Sequence, residues 1–396
     1  MRVLSVTAQK PCSTGSGVYL TEVVRSLAKM GVSQAVVAGV TREDRVDMPE
    51  GVTVYPVYFS SEKLPYPVVG MSDEMPYTST RYRDMTEEMA GQFKAAFLEV
   101  LDEAIEKENP DIILCHHLYY LTALIRAHYP AKKVYGFCHN TDLRQMESIS
   151  FEKNFIRQEI PKLDRIFALQ EAQKEKIKKI YPVSEKQMTV IGTGYNSEVF
   201  KKTGIKSSRK DGKIRMIFAG KITQKKGVKS LLRALNLLDY EKEKIQLILA
   251  GGAGNLVEYE EIKELADGCR YPVVFAGCVT QSRLAELYND CDIFVLPSMY
   301  EGLPLTVIES LACGDRVVMT KLEGIAEWLA DMDPDADIRY VLPPGMKGTD
   351  EPLEEELPEF ESRLAEALRE AIEEKDTKEC DVSRISWQKI AREVIR

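Results

Sequence analysis

The sequence predicts an α/β protein built from two parallel-sheet domains in tandem. Three observations carry this reading. A chain of 396 residues is longer than one core usually organises. In both halves, short apolar runs alternate with helical patterns, and the runs show no inside–outside alternation of their own. Such strands are buried on both faces, as in a parallel sheet covered by helices. The pattern also stops near residue 205 and restarts.

In the first half, "RVLSVTA" is a strand and "GVYLTEVVRSLAKMG" an amphipathic helix, followed by strands "SQAVVAGV" and "VTVYPVYF". A long helix, "EEMAGQFKAAFLEVLDEAIEKENP", leads to the strand "DIILCHH"; "KKVYGFCHN", "LDRIFALQ" and "QMTVIGTG" follow with helices between them. The polar stretch "KKTGIKSSRKDGK" reads as a linker. The second half repeats the scheme: "IRMIFAG", helix "GVKSLLRALNLL", "IQLILAGG", helix "YEEIKELADG", "PVVFAG", helix "QSRLAELYND", "DIFVLPS", a helix from Pro304, and "DRVVMT". Two helices close the chain, "ESRLAEALREAIEEK" and a last one with Trp387, Ile390 and Val394 at helical spacing. That apolar stripe needs a surface to cover. The expected division is 1–203 plus 382–396 for the first domain and 204–381 for the second.

Hydrophobic content of 44% with 29% charged residues fits a soluble globular protein. "MRVLSVTAQK" is too short in its apolar part for a signal peptide, and no run reaches the ~18 apolar residues of a membrane span. Eight cysteines are scattered without a CxxC, which points to reduced, mostly buried thiols in a cytoplasmic protein. Peripheral membrane contact stays open. The net charge of −9 is uneven: 18 acids against 6 bases between Asp331 and Asp381, but 11 bases against one acid between Lys201 and Lys229. A basic domain for nucleic acid is therefore not expected, whereas the basic stretch suits a few phosphates.

Three loops at strand carboxyl ends can carry chemistry, because ligands of open α/β sheets bind there, beside helix N-termini. "CSTGSGVYL" has Gly15 and Gly17 but fails the dinucleotide fingerprint at Leu20, so a plain tight turn is an equal reading. "FAGKITQKKGVKSLL" sets Lys221 and Lys226 near a helix start, where a diphosphate would be held. "SMYEGLPLTVIES" places Glu301 before a helix and Glu309 inside it. Amides of Leu305 and Thr306 suit phosphate oxygens, and a carboxylate on either side can accept from vicinal hydroxyls. A surface role for Glu309 conflicts with its neighbours Val307, Ile308 and Leu311. No metal-ligand set is visible.

These residues resemble glycosyltransferase family 4, retaining enzymes of the GT-B fold, in which two Rossmann-like domains face a cleft. The resemblance rests on "FAGKITQKKG", "VVFAGCVTQSRLAELYNDCDIFVLPSMYEGLPLTVIESLACG" and "GIAEW", with "TGSGVYL", "DIILCHH", "FCHN", "VIGTGYNSEVF" and "ISWQKIA" elsewhere. It implies an acceptor-side first domain with a returning terminal helix and a donor-side second domain. It implies Glu309 on the ribose, Glu301 on the sugar's 3- and 4-hydroxyls, and Lys221, Lys226 and the amides of Gly15, Leu305 and Thr306 on the diphosphate. Leu303 and Pro304 would shape the donor site, Val279 would lie at the base, and His139 would reach the transferring sugar. His116 and His117 stand where an acceptor would be met. The donor is a nucleoside-diphosphate sugar, a UDP-sugar slightly before a GDP-sugar, with no cofactor and no metal; the partners are that donor and an acceptor, with no nucleic acid. Lys221 stands where the family usually has arginine, Thr14 where it has glycine, Thr193 for asparagine and Arg316 for proline. The alternatives are a sugar-nucleotide epimerase on the same fold and a non-catalytic sugar-nucleotide-binding protein.

Overall fold

A computed structural model describes the whole chain except residues 12, 74, 210, 254, 349, 350, 375–377 and 379. It divides into two compact units, Met1–Gly194 with Trp387–Arg396, and Tyr195–Ser386.

The first unit runs β1 (Arg2–Thr7), α1 (Gly15–Lys29), β2 (Ser33–Val40), β3 (Thr53–Tyr58), the short pair β4 (Val69–Gly70) and β5 (Thr80–Arg81), and α2 (Glu87–Glu108). It continues through β6 (Ile112–His116), α3 (Tyr120–His128), β7 (Lys133–Phe137), α4 (Thr141–Ser148), α5 (Lys153–Glu159), β8 (Arg165–Ala168), α6 (Glu171–Ile180) and β9 (Met188–Val190). Seven strands pair in the order β3-β2-β1-β6-β7-β8-β9, with every pairing parallel. Val3, Leu4, Val6, Ile113 and Leu114 are all but sealed from solvent, because helices cover both faces. Helix ends are set by local chemistry. The Thr14 hydroxyl accepts from the Gly17 amide at the start of α1, and α2 stops at Asn109, left-handed at φ 41°, ahead of Pro110.

The second unit runs α7 (Ile205–Ser208), β10 (Ile214–Ala219), α8 (Val228–Asn236), β11 (Ile245–Ala250), α9 (Leu256–Asp267), β12 (Val273–Gly277) and α10 (Gln281–Asp290). Then come β13 (Ile293–Leu296), α11 (Leu305–Ala312), β14 (Arg316–Thr320), α12 (Ile325–Met332), β15 (Ile338–Val341) and α13 (Leu357–Glu373). Its sheet is parallel too, in the order β12-β11-β10-β13-β14-β15. The edge strand β15 is one the sequence pattern does not reveal. Four residues, three of them only half-buried, lie between an acidic turn and a Pro-Pro pair, so no apolar run marks it.

The last helix, α14 (Trp387–Val394), packs on α1 as part of the first unit, burying Trp387, Ile390, Ala391 and Val394. The stretch that read as a linker is, in its described residues 201–209 and 211–213, instead fastened to the second unit. Thr203 donates through its amide (2.8 Å) and hydroxyl (3.0 Å) to Asn289 Oδ1, Lys206 Nζ lies 2.5 Å from Asp315 Oδ1, and Arg209 pairs with Asp292. The polar residues that suggested a linker are there because they meet the acids of this unit. Burial pushes the Asp315 carboxyl up to about 7 against the pull of Lys206.

Seven cysteines are described and free, with Cys115, Cys138, Cys291 and Cys313 buried and Cys278 exposed; Cys12 lies outside the described residues. Among the described residues no helix is long and apolar enough to cross a membrane.

Candidate functional site

In the second unit β10 is flanked by β11 on one side and β13 on the other, so the connections leaving these two strands diverge. The carboxyl ends at such a point form a crevice where ligands of open parallel sheets bind. Lys221 follows β10, in a loop braced by bonds from the Gly220 amide to Ala250 O (2.9 Å) and from the Ile222 amide to Gly252 O (3.0 Å). The Thr223 hydroxyl then caps a single 3₁₀ turn, Gln224–Lys226. Gly227 ends that turn at φ 73°, and a Cβ there would stand 2.0 Å from the carbonyl oxygen of Pro297. Only glycine lets the loop after β10 approach the end of β13 so closely. The Met299 amide completes the junction by donating to Lys225 O at 3.0 Å.

This junction brings Lys226 and Glu301 together, Nζ to Oε1 at 2.7 Å, with both side chains mostly shielded. Two residues on, Leu303 and Pro304 are buried, and α11 starts at Leu305 with Pro304 as its N-cap rather than its first helical residue. Pro304 offers no capping side chain and no acid lies in the first turn of α11. Leu305 and Thr306 are half-buried there. Glu309, one turn further and on the same side as Leu305, is only 6% exposed. Its charge adds to burial in raising the hydroxyl pKa of Tyr288. Lys221 and Val279 stand after β10 and β12 on the same carboxyl edge.

The first unit has the matching arrangement around β1 and β6, whose connections also diverge. Gly15 is the first residue of α1; neither it nor Gly17 has a positive φ, so the loop is a helix start and not a tight glycine turn. A Cβ at Gly15 would meet nothing, so the fold alone does not demand glycine there. His116 ends β6 and His117 follows in the left-handed region at φ 77°. His139, after β7, lies against both: His116 Nδ1 is 3.1 Å from His139 Nε2, and the two rings stack at 12°. The His117 ring is 4.9 Å from His139. Burial holds all three imidazoles below their ordinary range, His116 at about 3, with the neighbouring histidines adding to the shift at His116 and His139. They are therefore neutral near pH 7 and can share hydrogen bonds without carrying charge. Tyr19 of α1 packs edge-on to His139 at 5.3 Å, and its hydroxyl donates to Gly192 O.

One residue of this cluster escaped the sequence reading. The carboxylate of Asp142, fully buried at the start of α4, accepts from the Leu118 amide at 2.7 Å and from the His139 amide at 3.2 Å. An acid in the first turn of a helix that opens just after "FCHN" was the available signal. Among the described residues no group of three or more His, Cys, Asp or Glu side chains could hold a metal ion.

The family model described as "Glycosyl transferases group 1" matches residues 200–379, and the one described as "Glycosyltransferase Family 4" matches residues 13–199. An uncharacterized glycosyltransferase of Methanocaldococcus jannaschii is 28% identical over 43% of this chain and 48% of its own length. The matched stretch thus spans about half of that relative. D-inositol 3-phosphate glycosyltransferase 2 of Catenulispora acidiphila is 25% identical over 80% of this chain and 76% of its own. Among solved structures, sucrose-phosphate synthase from Thermosynechococcus elongatus superposes with a TM-score of 0.71 at 15% identity, over 100% of this chain and 97% of that one. Anabaena HepE, solved with UDP and glucose, gives 0.63 at 15% identity, over 100% and 98%.

Proposed function

Because the chain belongs to glycosyltransferase family 4 and has the GT-B fold, we propose that it moves a hexose from a nucleoside-diphosphate sugar to an acceptor hydroxyl with retained anomeric configuration. The observation that carries this reading is the Lys226–Glu301 pair beside the uncapped start of α11, at the divergence of β10 and β13. A cation and free helix amides suit a diphosphate; carboxylates suit hydroxyls.

In this reading Lys221, Lys226 and the amides of Leu305 and Thr306 hold the diphosphate, Glu309 holds the ribose, and Gly15 is the first unit's candidate phosphate-binding amide. Leu303, Pro304 and Val279 shape the donor site, and Val279 borders the base. Glu301 binds the far hydroxyls of the sugar. With its charge paired to Lys226, Glu301 makes a poor nucleophile for double displacement, which needs a carboxylate at the anomeric carbon. Retention then follows a front-face route. The bond from the anomeric carbon to the diphosphate oxygen breaks, the bond to the acceptor oxygen forms on the same face, and the acceptor proton passes to the leaving phosphate oxygen. Lys221 and Lys226 neutralise the charge that grows there, so catalysis is mostly positioning and electrostatics. His139 contacts the transferring sugar as a neutral hydrogen-bonding group, in keeping with its lowered pKa. His116 and His117, buried behind it, belong to the acceptor side. A UDP-sugar is the first donor to try.

A panel of UDP-, GDP- and ADP-sugars, scored by rise in melting temperature, tests the donor assignment. Proton NMR of the product of the best donor reads its anomeric configuration. No thermal shift with any nucleotide sugar would overturn the reading, and release of an altered nucleotide sugar without acceptor would make the protein an isomerase.

A further inference from the structure

The three histidines sit on two separate turns, and both turns are conformationally expensive. His117 has φ 77° and Asn140 has φ 72°, in the left-handed region that residues with a Cβ leave unless something holds them. The same buried carboxylate reaches both turns. Asp142 Oδ2 accepts from the Leu118 amide, directly after His117, at 2.7 Å. Both carboxylate oxygens accept from the His139 amide, directly before Asn140, at 3.2 and 3.3 Å. The Cys138 thiol adds a longer contact at 3.5 Å. On the far side of Leu118, its carbonyl accepts from the Tyr181 hydroxyl at 2.5 Å, so this peptide is held from both ends.

We propose that Asp142 is the positioning residue for His139, tying the β6–α3 turn to the β7–α4 turn so that the His139 imidazole is held against His116. The inference rests on the reading of His139 as a sugar-contacting group, which it deepens. Asp142 touches no reacting atom; it acts through two backbone amides. Without its carboxylate those buried N–H groups lose their acceptor and the two turns lose the side chain that joins them. The 3.1 Å contact between the rings then loses that bracing.

Only four histidines occur in the chain, so histidine-selective ¹⁵N labelling of the full-length protein resolves each ring; His128→Gln removes the one outside the cluster. In the wild type, His116 and His139 are expected each to hold one fixed tautomer between pH 8 and pH 6. Asp142→Asn replaces one acceptor oxygen by an NH₂ group that cannot accept. It is expected to average the two tautomers of His139 and to speed exchange of the Leu118 and His139 amides roughly tenfold or more. A His139 ring and amides unchanged in Asp142→Asn would overturn the proposal. Should that variant not fold, exchange in the wild type decides: the Leu118 and His139 amides must open together at one rate, and two unrelated rates would overturn it. The underlying reading fails separately, if His139→Ala transfers sugar at the full rate.

Discussion

Lys226 and Glu301, which lie 75 residues apart in sequence, form one ion pair, Nζ to Oε1 at 2.7 Å. The two side chains proposed for different parts of the donor are thus each other's partner. In that proposal a diphosphate competes with Glu301 for the Lys226 ammonium. Lys226→Ala is expected to weaken UDP binding roughly tenfold or more, since it removes a charge-assisted hydrogen bond worth ~1.5–3 kcal/mol. It also removes the Lys226 charge that faces Glu301. Glu301→Ala is expected to hold or raise UDP affinity while cutting sugar transfer, and the double variant to bind UDP better than Lys226→Ala alone. Calorimetric titration reads all three, and equal losses in both single variants would refute the competition.

Glu309 is a different case, because α11 buries it among apolar neighbours. A buried carboxylate on a ligand hydroxyl is worth ~1.5–3 kcal/mol per hydrogen bond. Glu309→Gln keeps the shape and is expected to weaken UDP and UDP-sugar alike, by roughly tenfold. Unchanged affinity for UDP would remove Glu309 from the ribose.

Much of this was legible in the sequence, for identifiable reasons. Parallel strands sealed on both faces leave unbroken apolar runs, so β1, β6, β10, β11 and β13 stand out as letters. The Glu301–Glu309 spacing and the lysines after β10 mark the second unit's candidate site for the same reason: loop chemistry at strand ends is local. What was hidden is what depends on two distant segments meeting. Gly227 looks like any helix-opening glycine until Pro297 O is found against it. Lys226 and Glu301 carry no sign that they pair. Asp142 reads as an ordinary first-turn acid, and its role exists only because β6 and β7 are neighbours in the sheet. The polar run 201–213 misled because its partners, Asn289, Asp292 and Asp315, lie some 80 to 110 residues away.

The histidine cluster predicts how the first unit responds to acid. His116 has its folded pKa at about 3 against an ordinary 6.5, and His117 and His139 shift in the same direction. Between those two pH values the unfolded chain binds protons that the folded one refuses. Stability is therefore complete above about pH 6.5 and falls as the pH drops, by up to ~1.4 kcal/mol per pH unit for His116. Urea unfolding followed at Trp387, in a Trp328→Phe background, should show a lower midpoint at pH 5.5 than at pH 7.5. His116→Phe, which can keep the stack on Phe137, should flatten that dependence. A slope identical to the wild type would mean that His116 is charged in the fold.

The last helix ties the chain's end to this same cluster. The Trp387 ring stands edge-on to Tyr19, centroids 4.9 Å apart, and Tyr19 in turn packs on His139. Trp387, Ile390 and Val394 are all at least 95% buried, and Arg165 Nη2 lies 2.5 Å from Glu393 Oε1. Ending the chain at Ser386 uncovers α1 and Tyr19 and is expected to cost several kcal/mol, at ~1.5–3 kcal/mol for each large apolar side chain. A graded version exists within the full chain. A Cβ at Gly194 would fall 2.5 Å from the Trp387 amide nitrogen and ring, so Gly194→Ala must push the tryptophan outward without deleting it. Both variants should lower the melting temperature, truncation the more, and both should quicken amide exchange around Tyr19 and His139 while leaving α8 and α11 as they are. A truncated chain that melts with the wild type, or whose exchange changes only in the second unit, would show that α14 does not support the histidines.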